Sequence, residues 1–150
     1  MPILSLRFDH AGRPVVELSI GVSAAETEFR PATLPVLVRA LVDTGASKTN
    51  VARWVLDRLG LSPVGQVLVH TASTGTIPLL GNVYAVEIAL AGEKTGLLAT
   101  DLDIVAAEDL SGSGVDALLG RDVLRRGLFV YDGPEERFTL ATETPERSHP

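Results

Sequence analysis

The chain has 150 residues, of which 45% are apolar and 21% charged, enough for one compact domain with a core and too few for two. Thirteen basic against nineteen acidic residues leave a net charge of −6, which repels nucleic acid and anionic membrane surfaces alike, so neither is an expected partner. The lack of cysteine excludes disulfides, thiolate catalysis and sulfur-ligated zinc, and His10, His70 and His149 stand singly without metal-site spacing, so no metal or other cofactor is expected.

The opening residues, MPILSLRFDH, lack a basic stretch followed by a long apolar run, and no window approaches 18 uninterrupted apolar residues; the expectation is a soluble, cytoplasmic protein. Short apolar or alternating segments punctuated by Gly, Pro, Asp and Ser predict a mostly β domain. In chain order the strands fall at Ile3 to Phe8, Val15 to Val22, Pro35 to Asp43, Gln66 to Thr71, Ile77 to Leu90, Thr95 to Ile104, Leu128 to Tyr131 and Phe138 to Ala141. A first helix is predicted from Asn50 to Gly60, where Val51, Val55 and Leu59 share a face, Asn50 caps the first turn and Gly60 ends the last. A second runs from Arg121 to Arg126 and is closed by Gly127. Trp54 is read as a core side chain, while Tyr84 fits either the core or a substrate contact.

Asp132, Gly133 and Pro134 mark a hairpin turn beside the exposed Glu135 and Glu136. A longer hairpin spans Val67 to Val86, and its small, hydroxylated centre, Ala72 to Thr76, is expected to project and move. Residues 1–142 form one domain, and 143–150 a polar, proline-containing tail.

The most informative segment is Leu37 to Asn50, LVRALVDTGASKTN, in which an apolar strand delivers Asp43 into a tight Thr-Gly turn. An acid so placed is half-buried, and the turn's N–H groups and hydroxyls hold its carboxylate in one orientation, which suits general acid and base work. The plainer reading of the same residues is a strand ending in a turn, with Asp43 accepting local backbone hydrogen bonds. Downstream lies VDALLGRDVL, Val115 to Leu124, where two leucines precede a glycine that opens a helix.

Taken together, these segments resemble the retropepsin-like aspartic protease family. Its single-lobed subunits carry an apolar strand into Asp-Thr/Ser-Gly-Ala, then a glycine-tipped flap hairpin, then an apolar-apolar-Gly-Arg-Asp/Asn segment. All three stand here in that order, over roughly Pro35 to Leu140. The resemblance implies a closed β-barrel with a flap and one or two short helices. It also implies peptide hydrolysis by a water that one carboxylate activates while a second carboxyl protonates the carbonyl oxygen. This chain has one Asp-Thr-Gly, so the implied enzyme is a homodimer in which the Asp43 side chains of two copies meet on a two-fold axis.

Position by position, the resemblance makes Asp43 the acid or base, Thr44 the hydroxyl of an interlocking dimer grip, and Gly45 the point of close approach to water and substrate. Ala46 and Ser47 flank the substrate, and Ser73, Thr74 and Gly75 form the tip that closes over an extended peptide. Ala46 offers no hydroxyl to the acid pair, from which a less acidic pH optimum than in pepsin-like relatives is expected. Gly120 and Arg121 take structural or dimer roles. Viral relatives often have aspartate where Ser47 stands, so Arg121 here pairs instead with Asp122, with a carboxylate of the other subunit, or with solvent. The viral dimers interleave their terminal strands, a device that the polar tail need not support. Three functions compete: a homodimeric aspartic endopeptidase acting on extended, largely apolar peptides; a peptide-binding or regulatory module that does not hydrolyse; and a plain structural β domain, which leaves the Leu-Leu-Gly-Arg segment unexplained.

Overall fold

The computed structural model describes residues 3–27, 33–70, 77–91, 96–107, 110 and 112–143. Within them the strands are β1 (Ile3–Arg7), β2 (Val15–Val22), β3 (Val36–Val42), β4 (Asn50–Ala52), β5 (Gly65–Val69), β6 (Leu79–Leu90), β7 (Gly96–Ala107), β8 (Ala117–Leu119), β9 (Gly127–Asp132) and β10 (Arg137–Thr142). The helices are short: α1 (Ala24–Thr27), α2 (Arg53–Leu59) and α3 (Arg121–Leu124). None among the described residues is long and apolar enough to cross a membrane.

Six strands close a barrel in the order β2-β3-β8-β4-β7-β6, with β6 returning to β2 through Leu18↔Leu90 to Val22↔Val86. The alternation of each strand decides what fills it. In β3, Val36, Val38, Ala40 and Val42 point inward while Leu37, Arg39 and Leu41 face out. Leu18 and Ile20 of β2, Val86 and Ile88 of β6, and Ile104 of β7 meet them, each fully buried. Val55, Leu56 and Leu59 of α2 join the same cluster. Burial of one such side chain contributes about 1.5–3 kcal/mol, so this aliphatic interior carries the fold. Tyr84 lies inside it, 4% exposed, which settles that residue as core. Trp54 corrects the expectation of burial: it is 43% exposed and lies under the Arg58 guanidinium, 5.3 Å from the ring centre.

The first helix also departs from its predicted bounds. Asn50–Ala52 is a strand wedged between β7 and β8, parallel to one and antiparallel to the other. Asn50 caps nothing; its side-chain amide donates to the Lys48 carbonyl at 2.8 Å. Three residues are too few to register as a strand against an i, i+4 pattern, and two flanking strands override the local preference. The end of α2 is as expected: Gly60 has φ +66°, and the N–H of Leu61 reaches back to the Leu56 carbonyl at 3.1 Å. The second helix stops at Leu124. Gly127 opens β9 instead, where a Cβ would overlap the Ala141 carbonyl of the neighbouring strand.

A separate three-stranded sheet, β1-β10-β9, packs on the barrel through Phe138 and Leu140. The Asp132 turn joins β9 to β10 as predicted, with the Asp132 carboxylate accepting from Glu135 N–H. Between β1 and β2, Asp9 organises the crossing to the barrel. Its carboxylate accepts from Ala11 N–H and Arg13 N–H at 3.0 and 2.8 Å, and the Arg13 guanidinium pairs with it at 2.9 Å. Burial opposes the charge, but the Arg13 and Ala11 donors and the Arg13 charge outweigh it and hold the Asp9 carboxyl below the ordinary aspartate value.

Candidate active site

The site begins where β3 runs out. The Asp43 N–H donates to the Leu119 carbonyl of β8 at 2.9 Å, so parallel pairing carries the acid to the barrel rim before the chain turns. The turn closes through Ala46 N–H to the Asp43 carbonyl at 3.2 Å, and Gly45 N–H donates to Asp43 Oδ1 at 2.9 Å. A Cβ on Gly45 would come within 3.1 Å of that oxygen, so glycine lets the amide approach the acid. Asp43 is half-buried, as expected, and Gly45 N–H is its carboxylate's one donor among the described residues.

The turn is held from beneath by the Gly-Arg-Asp segment. Arg121 N–H donates to the Ala46 carbonyl at 2.9 Å, and Arg121 Nη1 to the Thr44 carbonyl at 2.8 Å. The expected alternatives for Arg121, an Asp122 pair or plain solvation, therefore give way to a clamp on the Asp43 turn itself. Asp122, 6% exposed, turns away to accept from Thr49 N–H at 2.9 Å, Thr49 Oγ1 at 2.7 Å and Val123 N–H at 2.9 Å. Thr49 Oγ1 in turn accepts from Gly120 N–H at 3.0 Å. Gly120 is required by this closeness, since a Cβ would sit 2.7 Å from the Lys48 carbonyl carbon. Its φ of −92° asks for no special residue.

Thr49 is a site residue that sequence reasoning missed, as is the role of Asp122 as its buried acceptor. A signal existed: an aspartate between the Leu118–Leu119 pair and Val123–Leu124 lies in a largely apolar stretch that favours burial, and a buried carboxylate needs donors.

An aspartyl protease family model matches residues 35–123, from the start of β3 through the turn and the clamp. The chain belongs to the aspartyl protease family. In fold it is similar to a retropepsin-like aspartic protease from Rickettsia conorii, with a TM-score of 0.58 and 16% identity over 92% of this chain and 89% of that one. It is also similar to the EIAV protease in complex with an inhibitor, at a TM-score of 0.42 and 15% identity over 80% of this chain and 92% of that one. No curated protein matches.

Of the candidate residues, Asp43, Thr44, Gly45, Ala46, Gly120 and Arg121 come together in this one turn and its clamp. Thr44, Gly45 and Ser47 are exposed on the rim. The Arg121 guanidinium donates to the Thr44 carbonyl, and no hydrogen bond joins it to Ser47 among the described residues. β5 and β6 pair antiparallel from Gly65↔Val83 to Val69↔Leu79, within the segment predicted as the longer hairpin. Ser73, Thr74 and Gly75 lie outside the described residues, as does the tail from residue 144.

Proposed function

We propose that this protein is an aspartic endopeptidase that works as a homodimer, with Asp43 from each copy forming the acid pair. The observation that carries the reading is an acid fixed at the barrel rim whose carboxylate meets one donor among the described residues, while the turn around it is tied down by Arg121, Thr49 and Asp122. Such an acid is rigid yet chemically unspent. A structural carboxylate in the same chain, Asp122, takes three donors. The unspent oxygen supports hydrolysis over peptide binding alone, because binding an extended strand needs backbone donors and acceptors and no acid.

Two carboxylates about 3 Å apart do not both carry charge, so the pair holds one proton. The charged member takes a proton from the water as its oxygen attacks the peptide carbonyl carbon, and the protonated member gives its proton to the carbonyl oxygen. Collapse of the tetrahedral species breaks the C–N bond, with a proton passing to the leaving nitrogen. The rim hairpin serves as the flap, and Thr44, exposed beside the acid, as the dimer grip.

The test pairs the solution mass with cleavage of a peptide library by the wild type and by Asp43→Asn. A dimer whose hydrolysis falls about 10³-fold or more in the variant is expected. Undiminished cleavage by Asp43→Asn rejects the mechanism.

A further inference from the structure

Resting on the homodimer reading, we infer that two copies join along the free edge of β9, making one six-stranded sheet across the two-fold axis, without exchange of terminal strands. The central strand β10 already has both edges occupied within its own chain, by β1 from Ile3↔Ala141 to Arg7↔Arg137 and by β9 from Gly127↔Thr142 to Asp132↔Arg137. A partner's strand has no place beside it. Among the described residues, the open edges of this sheet are β1 and β9.

These two edges differ. From Gly127 to Tyr131, β9 carries no charge and no proline, and it exposes Leu128 (60%), Val130 (43%) and Tyr131 (57%). Solvent-facing edges are ordinarily guarded by charge, proline or brevity, and an unguarded apolar one is a pairing surface. The β1 edge exposes Ser5 and Arg7 with Ile3 as its one exposed large apolar side chain. β9 is also continuous with the site: it starts three residues after α3, whose Arg121 holds the Thr44 and Ala46 carbonyls. Pairing β9 with its copy therefore places a two-fold axis a short connection away from the helix that holds the Asp43 turn, and on the homodimer reading the site is incomplete without that copy.

Symmetry makes the inference sharp. Side chains alternate faces along a strand, so paired residues of an antiparallel ladder share a face. When a strand pairs with its own copy about an axis normal to the sheet, residue i meets residue j of the same parity, and one residue always faces itself. Directly opposed Cα atoms lie about 4.5–5.5 Å apart, within disulfide reach.

The chain has no cysteine, so single-cysteine variants report cleanly. Leu128→Cys, Phe129→Cys, Val130→Cys and Tyr131→Cys are oxidised mildly, with Ile3→Cys on the opposite edge as the comparison, and the masses are read without reductant. At least one β9 variant is expected to run at twice the chain mass, with Ile3→Cys cross-linking tenfold less or lower. The double variant Leu128→Lys, Val130→Lys changes only exposed positions. It is expected to weaken dimerisation at least 100-fold and to recover activity as protein concentration is raised. A solution dimer that cross-links through Ile3→Cys and through no β9 position overturns this inference and leaves the homodimer reading standing. A hydrolytically active species of single-chain mass overturns both.

Discussion

Asp43 and Asp122 hang on the same hydrogen-bonded truss and serve opposite ends. Asp122 is buried, and its two oxygens accept from Thr49 N–H, Thr49 Oγ1 and Val123 N–H. Asp43 is half-exposed and accepts only from Gly45 N–H among the described residues. One acid spends its hydrogen-bonding capacity on holding the backbone; the other is held by that backbone and keeps most of its capacity for the proposed catalytic role. Burial with full pairing is the mark of structure, and rigidity with an unspent oxygen is the mark of chemistry.

The contrast breaks most visibly at Asp43. Asp43→Asn is expected to cost about 10³-fold or more in kcat/KM while moving the thermal midpoint by no more than about 2 °C, because the surface side chain supports little of the fold. Asp122→Ala should invert that pattern. It strands the Thr49 N–H and hydroxyl in the interior, a loss of about 3 kcal/mol or more in denaturant titration, and Asp122→Asn should recover part of it by keeping an acceptor. A Asp122→Ala protein as stable as the wild type would show that the truss is ornamental.

Arg121→Ala lies between the two. Losing the bond to the Thr44 carbonyl is expected to cost about 1 kcal/mol of stability, and the loosened turn about tenfold to a hundredfold in kcat. Equal KM with reduced kcat would mark a positioning role.

Asp9 extends the comparison to an acid far from the site. Its folded-state value is depressed, so its contribution is present above the unfolded value and lost as pH falls through the folded one. Urea midpoints of wild type and Asp9→Asn should therefore differ most above the unfolded aspartate value of about 4 and converge as pH falls through the depressed folded one. The smallest effect is expected from Ala46→Ser. A hydroxyl beside the proposed acid pair would stabilise its charged form, and the pH–rate profile should move toward acid.

How much of this was legible beforehand differs by element. The inward alternation of Val36, Val38, Ala40 and Val42, the Asp-Thr-Gly turn after them and the Gly60 stop each depend on residues within one turn or strand of one another, and each was readable. Asn50–Ala52 was not, because its strand character comes wholly from β7 and β8, which are brought to it from more than fifty residues away. Arg121 was recognised and its partner was not: the Thr44 carbonyl is a backbone acceptor, and no residue type advertises one. The pairing of Thr49 with Asp122 was overlooked for a related reason, since the two stand 73 positions apart and become buried partners only once the chain has folded.

The sequence by itself determined which side chains face inward, where the acid stands and that this chain supplies one such acid, because periodicity, turn chemistry and a count of Asp-Thr-Gly are local properties. Only the tertiary structure decided what holds that acid still, which carboxylate is spent and which is not, and which strand edge is left open, because hydrogen bonds between distant backbone groups and the occupancy of strand edges exist only once the chain has closed on itself.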